Sequence, residues 1–197
     1  MKAIFFDIGG VLIDTDFAQL YRNFGRRVGI AEEAVIQYHE DNWREMMVGK
    51  IDLRQFFSDL GKLSATGSAT DSWESIWASE ALSLRQINHE LLNWIDTQKD
   101  YIIGTITNAT HSRLILDNQM DLYGHFTVNV ISSLDRVMKP NPEIYQLALD
   151  RAGVVPQDSV FVDDKPEYIA GARAVGMRTI LFKDNESFFS DLRGLKF

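Results

Sequence analysis

Six polar or charged residues in this sequence follow short apolar segments that are rich in β-branched and aromatic residues. Segments of that composition and length are typical of strands. In a parallel sheet the carboxyl ends of the strands lie at one edge, and ligands bind there. We therefore expect these side chains to meet in one crevice: Asp7, Thr107, Asn108, Lys139, Asp163 and Asp164.

Three of these residues are carboxylates, and this determines the chemistry that the crevice can support. Asp7, Asp163 and Asp164 would repel one another unless a positive charge joined them. A hard divalent cation such as Mg²⁺ prefers oxygen ligands and meets that requirement. Lys139 adds an ammonium group, and a hydroxyl and an amide add hydrogen-bond donors. The set therefore predicts a magnesium site.

Five apolar segments predict the strands that position these residues. Helical patterns separate the later segments: residues 142–153 end at Gly153, and residues 166–176 begin near Pro166. Strands that alternate with helices favour an α/β fold with a parallel sheet covered on both faces. The five segments are AIFF (3–6), YIIGTI (101–106), HFTVNVI (125–131), SVFV (159–162) and RTILF (178–182).

Residues 16–96 show helical periodicity and no convincing strand. Apolar residues from Phe17 to Val28 fall on one stripe of a helix, and Ile87, Leu91, Trp94 and Ile95 mark another. Asp52 and Asp71 are expected to cap two more helices, and the polar stretch 64–72 is expected to be a flexible loop. We therefore predict a core domain, at residues 1–14 and 97–197, and an inserted all-helical cap domain, at residues 15–96.

Composition narrows the classes of partner. The chain has 197 residues, a net charge of -8 and a pI near 5.0, which argues against nucleic acid. We expect no membrane partner, since no apolar run approaches the length of a membrane span. The sequence has no cysteine and no signal-peptide pattern, so we expect a cytoplasmic protein. A monomer or weak homodimer is the expected state.

Four segments, taken in chain order, resemble the motifs of the haloacid dehalogenase-like (HAD) superfamily. FFDIGGVLIDTD is similar to the first motif, TITNAT to the second, KPNPEIY to the third and VFVDDKPEYIAGARAVGM to the fourth. The helical insertion falls in the gap that holds the helical cap of the family. The resemblance covers nearly the whole chain and implies a Rossmann-like core and a phosphatase of a small phosphorylated metabolite.

The resemblance implies a catalytic role for four residues. Asp7 would attack phosphorus and form an aspartyl-phosphate, which water then hydrolyses. Thr107 and Asn108 would bind the phosphoryl oxygens, and Lys139 would neutralise the charge of the nucleophile and the phosphate. Such fixed charges and donors stabilise the transition state of phosphoryl transfer.

The resemblance also implies a metal site and a substrate contact. Asp7, Asp163, Asp164 and the backbone carbonyl of Gly9 would hold Mg²⁺. Lys50, in the turn MMVGKID of the predicted cap, is a candidate for contact with the substrate.

Gly9 departs from the family pattern, because most members carry a second aspartate at this position. That aspartate protonates the leaving group and then activates water, and general acid–base catalysis contributes about 10²–10⁴-fold. Gly9 keeps a backbone carbonyl but supplies no acid.

Three functions therefore stay open. The first is a phosphatase for a substrate with a good leaving group. A sugar 1-phosphate fits, because DIGGVLIDTDF resembles the D-x-G-N-V branch of the family, which includes an α-D-glucose-1-phosphate phosphatase. The second is a catalytically impaired protein that binds a phosphorylated ligand or a partner. The third is a 2-haloacid dehalogenase, which is disfavoured because that branch carries tyrosine at position 9 and needs no metal carboxylates.

Replacing Gly9 with aspartate tests whether the acid alone is lacking. In that case Gly9→Asp raises turnover on phosphate esters with poor leaving groups, measured as phosphate released in the presence of Mg²⁺. No gain would indicate that the geometry of the pocket differs as well.

Overall fold

The computed structural model describes residues 2–64 and 72–195. Most of its strands lie within a residue or two of the predicted segments. The predicted segment 125–131 is an exception, because only its last four residues, Val128–Ile131, form a strand. Its first residue, His125, belongs to the 3₁₀ helix Leu122–His125. The strands are β1 (Lys2–Phe6), β2 (Ile13–Thr15), β3 (Arg85–Ile87), β4 (Tyr101–Thr107), β5 (Val128–Ile131), β6 (Ser159–Asp163) and β7 (Arg178–Leu181).

Helices surround these strands, and a second 3₁₀ turn lies at Pro156–Asp158. The helices are α1 (Phe17–Val28), α2 (Glu32–Met47), α3 (Leu53–Leu63), α4 (Ser72–Ser83), α5 (His89–Thr97), α6 (His111–Gln119), α7 (Ser132–Asp135), α8 (Pro142–Ala152), α9 (Pro166–Ala174) and α10 (Asn185–Gly194).

Five of the strands form one parallel sheet in the order β5-β4-β1-β6-β7. The predicted α/β fold is therefore confirmed. Strands β4 and β5 lie on one side of β1, and strands β6 and β7, which come later in the chain, lie on its other side. The strand order thus reverses between β1 and β6, and ligands of open parallel sheets bind at such a switch point. Asp7 and Asp163 lie at these two strand ends.

Both faces of the sheet are buried, as alternation along β1 illustrates. Ile4 and Phe6 belong to one buried cluster, and Ala3 and Phe5 belong to another. Successive side chains of a strand point to opposite faces, so an unbroken apolar run is required when both faces carry helices. This explains why the first segment reads as a continuous apolar run.

Helices α1 to α4 share an apolar cluster that also includes Leu116 of α6. The Trp77 ring lies 5.1 Å from the rings of both Phe24 and Phe56, in edge-on contacts. Asp52 caps α3 as predicted, by accepting the Gln55 N–H at 2.8 Å. The predicted cap at Asp71 and the body of the predicted loop 64–72 lie outside the described residues.

Strand β3 corrects the prediction that residues 16–96 contain no strand, and its partner β2 lies just before that range. β2 and β3 pair antiparallel, with Ile13 opposite Ile87 and Thr15 opposite Arg85. Ile87 is therefore in a strand, and α5 begins two residues later after its N-cap Asn88. The two segments connect the sheet to α1–α4, so we call the pair the connecting ribbon (residues 13–15 and 85–87).

Helix α5 packs on the sheet. Its residues Leu91, Leu92 and Ile95 are buried in the same cluster as Ile4 and Phe6 of β1. The predicted domain limits, 1–14 with 97–197 and 15–96, stay a prediction. None of the helices in residues 2–64 and 72–195 is long and apolar enough to cross a membrane.

Gly104 of β4 tests how tightly the sheet is packed against its neighbours. A Cβ at this position would lie 2.7 Å from the Phe5 ring and 2.9 Å from the Val128 carbonyl oxygen. Gly104→Ala is expected to destabilise the fold by about 1–3 kcal/mol, because the extra methyl group overpacks the core. Urea unfolding measures the loss.

Gly194 supplies the matched control, since nothing lies within 4 Å of a Cβ built there. Gly194→Ala should leave the free energy of unfolding unchanged or slightly increased. Equal effects of the two substitutions would contradict the packing argument.

Candidate functional site

The site is organised around the ammonium group of Lys139, which has no exposed surface. Its Nζ lies 3.0 Å from Oδ1 of Asp7 and 2.6 Å from Oδ2 of Asp163. The rings of Tyr168 and Phe161 lie 4.8 and 5.2 Å from Nζ. Burial by itself lowers the pKa of Lys139, but the charges of Asp7 and Asp163 outweigh burial and raise the pKa, so Lys139 is a cation.

Asn108 fixes the loop that carries Lys139. Its Oδ1 accepts the Lys139 N–H at 2.8 Å, and its Nδ2 donates to the Lys139 carbonyl oxygen at 3.1 Å. The same Nδ2 lies 3.3 Å from the Tyr168 hydroxyl. The side-chain amide of Asn108 therefore positions Lys139, and its predicted contact with a phosphoryl oxygen stays a prediction.

Three carboxylates converge beside Lys139. Asp7, Asp163 and Asp164 each offer an oxygen, and these oxygens lie within 4.8 Å of one another. Oδ1 of Asp164 is buried and has no hydrogen-bond partner among the described residues. A buried acceptor without a partner is costly, so this set of hard oxygen donors fits a divalent cation.

The proximity of the carboxylates changes their proton affinity. Burial raises the pKa of Asp163 to about 7 against the opposing charge of Lys139, and the charge of Asp7 adds to the increase. Burial and the charge of Asp7 also raise the pKa of Asp164. Both shifts have the sign expected for carboxylates that are held together away from water.

The two glycines after Asp7 bring the backbone close to Asp164. Gly10 has φ +75, and a Cβ on it would lie 2.5 Å from Oδ2 of Asp164, so a side chain would be both strained and obstructed. The turn is closed by hydrogen bonds to the carbonyls of Ile8 and Ile13. The Gly9 carbonyl is not used in this turn, and its predicted contact with a metal stays a prediction.

The remaining predicted residues occupy different environments. Thr107, at the end of β4, is fully buried, and its hydroxyl has no hydrogen-bond partner among the described residues. Lys50 is exposed and does not line the cavity described below. Gly49, in the turn before Lys50, packs against α7, since a Cβ built on Gly49 would collide with the Ser133 carbonyl oxygen.

A cavity of about 440 Å³ lies over the carboxylates. Asp7, Asn108 and Asp164 line it from the sheet, the connecting ribbon lines it from the side, and Tyr21 and Trp43 of the helical insertion line it from above. A volume of this order suits a small molecule.

Two arginines that line the cavity were not predicted from the sequence, namely Arg85 of β3 and Arg113 of α6. Asp117 joins them: it is fully buried, forms an ion pair with Arg85, and lies 3.6 Å from Nε of Arg113. The four-residue spacing from Arg113 to Asp117 in HSRLILD was the available signal, because side chains at i and i+4 of a helix meet.

A sequence model of the haloacid dehalogenase-like hydrolases matches residues 1–176. The chain belongs to this family. The predicted family membership is thus confirmed, and with it the classification as a hydrolase.

Similar proteins include both short and long members. A phosphorylated carbohydrates phosphatase of Thermotoga maritima is 29% identical over 187 residues, which cover 91% of this chain and 84% of the relative. Bifunctional epoxide hydrolase 2 of Rattus norvegicus is 26% identical over 98% of this chain, which spans only 38% of that protein. A HAD-family enzyme of Bacteroides thetaiotaomicron, solved in complex with magnesium, has a TM-score of 0.81 at 20% identity, with 98% of each chain covered. This last likeness shows the fold.

Removing the Lys139 charge tests the electrostatic centre of this HAD-like hydrolase. Lys139→Met leaves Asp7 and Asp163 facing each other without a cation, and loss of one partner from a buried ion pair costs about 3–5 kcal/mol. Carboxyls whose pKa is raised in the folded state favour folding only while they are protonated. Lys139 opposes the rise in the pKa of Asp163, so in Lys139→Met this pKa lies above 7, and the loss should be largest above pH 7 and shrink as the pH falls through about 7.

Urea unfolding at two pH values, without divalent cations, measures this effect. Lys99→Met, at an exposed position, is the matched control and should change stability little at either pH. A loss for Lys139→Met that is independent of pH would contradict the argument.

Proposed function

We propose that this hydrolase is a Mg²⁺-dependent phosphatase of a small phosphorylated metabolite. The observation that carries the proposal is the environment of the Asp7 carboxylate. Asp7 lines the cavity, and its Oδ1 is held by the Lys139 ammonium at 3.0 Å and by the Ile8 N–H at 2.8 Å. Both contacts involve Oδ1, and they orient the carboxylate. Neither involves Oδ2, and an attacking carboxylate requires one such oxygen.

The other residues have complementary tasks in the proposed reaction. Lys139 offsets part of the negative charge that accumulates when a carboxylate approaches a phosphate. The hydroxyl of Thr107 lacks a hydrogen-bond partner among the described residues, which supports its predicted task of donating to a phosphoryl oxygen. Asn108 acts through Lys139, whose loop it holds at two backbone atoms.

Asp7, Asp163, Asp164 and the Gly9 carbonyl are the proposed holders of Mg²⁺. The observation in favour is that Oδ1 of Asp164 has no hydrogen-bond partner in the part of the chain that the structure describes, since this cation takes oxygen ligands. When bound, the ion would supply a positive charge that polarises the phosphoryl group. Lys139 already neutralises part of the charge of Asp7 and Asp163, so Asp164 is the carboxylate most in need of the cation.

A phosphorylated sugar is the proposed class of substrate. The cavity of about 440 Å³ suits a metabolite of that size. The names of two relatives agree, namely a phosphorylated carbohydrates phosphatase and a D-ribitol-5-phosphate phosphatase. A sugar 1-phosphate is the proposed form, because Gly9 provides no acid and an anomeric hydroxyl leaves more readily than an ordinary alcohol. A cytoplasmic monomer or weak homodimer stays the prediction for location and assembly.

Phosphate release from a panel of phosphorylated sugars, with Mg²⁺ present, tests the proposal. Asp7→Asn keeps the shape of the side chain and removes its charge, so turnover should fall by at least about 10³-fold. Chelation of Mg²⁺ should abolish the activity of the unaltered protein.

Unaltered protein that is no faster than Asp7→Asn on every member of the panel would refute the phosphatase proposal. Binding of phosphorylated sugars without turnover would then identify a catalytically impaired binding protein. Halide release from a 2-haloacid would identify a dehalogenase.

A further inference from the structure

The guanidinium group of Arg113 lies where a side chain on Gly9 would stand. A Cβ built on Gly9 would be 2.8 Å from Nη1 of Arg113 and 3.3 Å from Nη2. Gly9 is two residues from Asp7, and all three residues line the cavity. A positive charge therefore occupies the space beside the proposed nucleophile that a side chain at position 9 would otherwise take.

The fold holds Arg113 by its backbone and leaves its guanidinium group with few partners. Arg113 lies in the first turn of α6, where its N–H donates to the side chain of the N-cap residue Thr110 at 3.2 Å. Nε and Nη2 are buried and have no hydrogen-bond partner among the described residues. Buried donors of a charged group usually have hydrogen-bond partners, so we expect these two nitrogens to donate to an acceptor on a bound ligand.

Asp117 cannot supply that acceptor in full. It is already paired with the buried Arg85, and it accepts the Tyr123 hydroxyl at 2.8 Å. The Arg113 Nε is 3.6 Å away, beyond hydrogen-bond distance. Two guanidinium groups thus share one carboxylate, and a positive charge remains on the cavity wall. An anion bound in the cavity would offset the cost of that charge.

We propose that Arg113 contacts the oxygen that leaves phosphorus and stabilises it as an anion. This inference rests on the proposed phosphatase function and specifies its substrates. An arginine side chain stays protonated at every accessible pH, so it cannot act as a general acid. It can, however, hold a developing negative charge through charge-assisted hydrogen bonds.

The two chemical steps balance without an acid at position 9. In the first, an Asp7 oxygen forms a bond to phosphorus while the bond to the leaving oxygen breaks. The electron pair stays on the leaving oxygen, which departs beside Arg113 and takes a proton from solvent. In the second, water attacks phosphorus, the pair of the breaking bond returns to the Asp7 carboxylate, and the water proton passes to solvent.

This chemistry selects substrates by the acidity of the leaving group. Phosphate esters of anomeric hydroxyls, enols and phenols release comparatively stable anions, as do acyl phosphates, whereas esters of primary alcohols do not. Arg113 reduces the difference in rate between substrates with more and less acidic leaving groups. It does not remove this difference, because it stabilises the charge of the leaving oxygen and donates no proton. The class of substrate is therefore a phosphate ester with an acidic leaving oxygen.

Arg113 also changes what is expected of Gly9→Asp. A Cβ at position 9 would lie 2.8 Å from Nη1 of Arg113, so Gly9→Asp displaces the guanidinium group as well as adding a carboxyl. Its effect on turnover therefore combines the gain of a carboxyl with the loss of the Arg113 contact.

A series of aryl phosphates with phenols of graded acidity tests the contact directly. The quantity measured is the dependence of kcat/KM on leaving-group pKa, for the unaltered protein, Arg113→Lys and Arg113→Met. Arg113→Met should lose about 10²-fold on the least acidic phenol, and progressively less as the phenol becomes more acidic. Arg113→Lys, which keeps the charge, should fall between the two.

Two controls separate this effect from a structural one. Arg26→Met, at an exposed position on α1, should leave the series unchanged. Guanidinium ion at millimolar concentration should restore part of the activity of Arg113→Ala on the least acidic phenols, and sodium chloride at the same ionic strength should not.

The outcomes are distinct for the two proposals. A loss for Arg113→Met that is equal across the series would place Arg113 on the phosphoryl group or in the scaffold, and would overturn the inference while leaving the phosphatase proposal intact. Unaltered protein no faster than Asp7→Asn on every ester would overturn both.

Discussion

Neutralisation of one fully buried ammonium group constrains much of this structure. Lys139 has no contact with water, so carboxylates must approach it closely from within the protein. Asp7 and Asp163 provide them because the strands that precede them are neighbours in the sheet, with Phe6 paired to Val162. The position of β6 beside β1 is therefore a condition for the site as well as for the fold.

Charged residues of both signs that line the cavity have buried atoms without a hydrogen-bond partner among the described residues. Within residues 2–64 and 72–195, one oxygen of Asp164 and two nitrogens of Arg113 have no hydrogen-bond partner. A protein without ligands gains nothing from either arrangement, since each costs desolvation. Together they fit a substrate complex that contains both a cation and an anion.

The sheet and much of the candidate site could be predicted from the sequence because both depend on local patterns. Unbroken apolar runs identify buried parallel strands, and the residue that follows such a run lies at a known edge. The connecting ribbon could not be predicted, since IDT and RQI are too short and too polar to show a strand pattern. Arg113 was missed because its relation to Gly9 exists only when β1 and α6 are brought together in the fold.

The connecting ribbon has a consequence for the cavity. Both passages of the chain between the sheet and α1–α4 run through it, and three residue pairs hold the two passages side by side. Pairing fixes the register of the two strands, and a shift of one residue would turn their side chains to the opposite face. The placement of Tyr21 and Trp43 at the cavity that Asp7 lines thus depends on these three residue pairs.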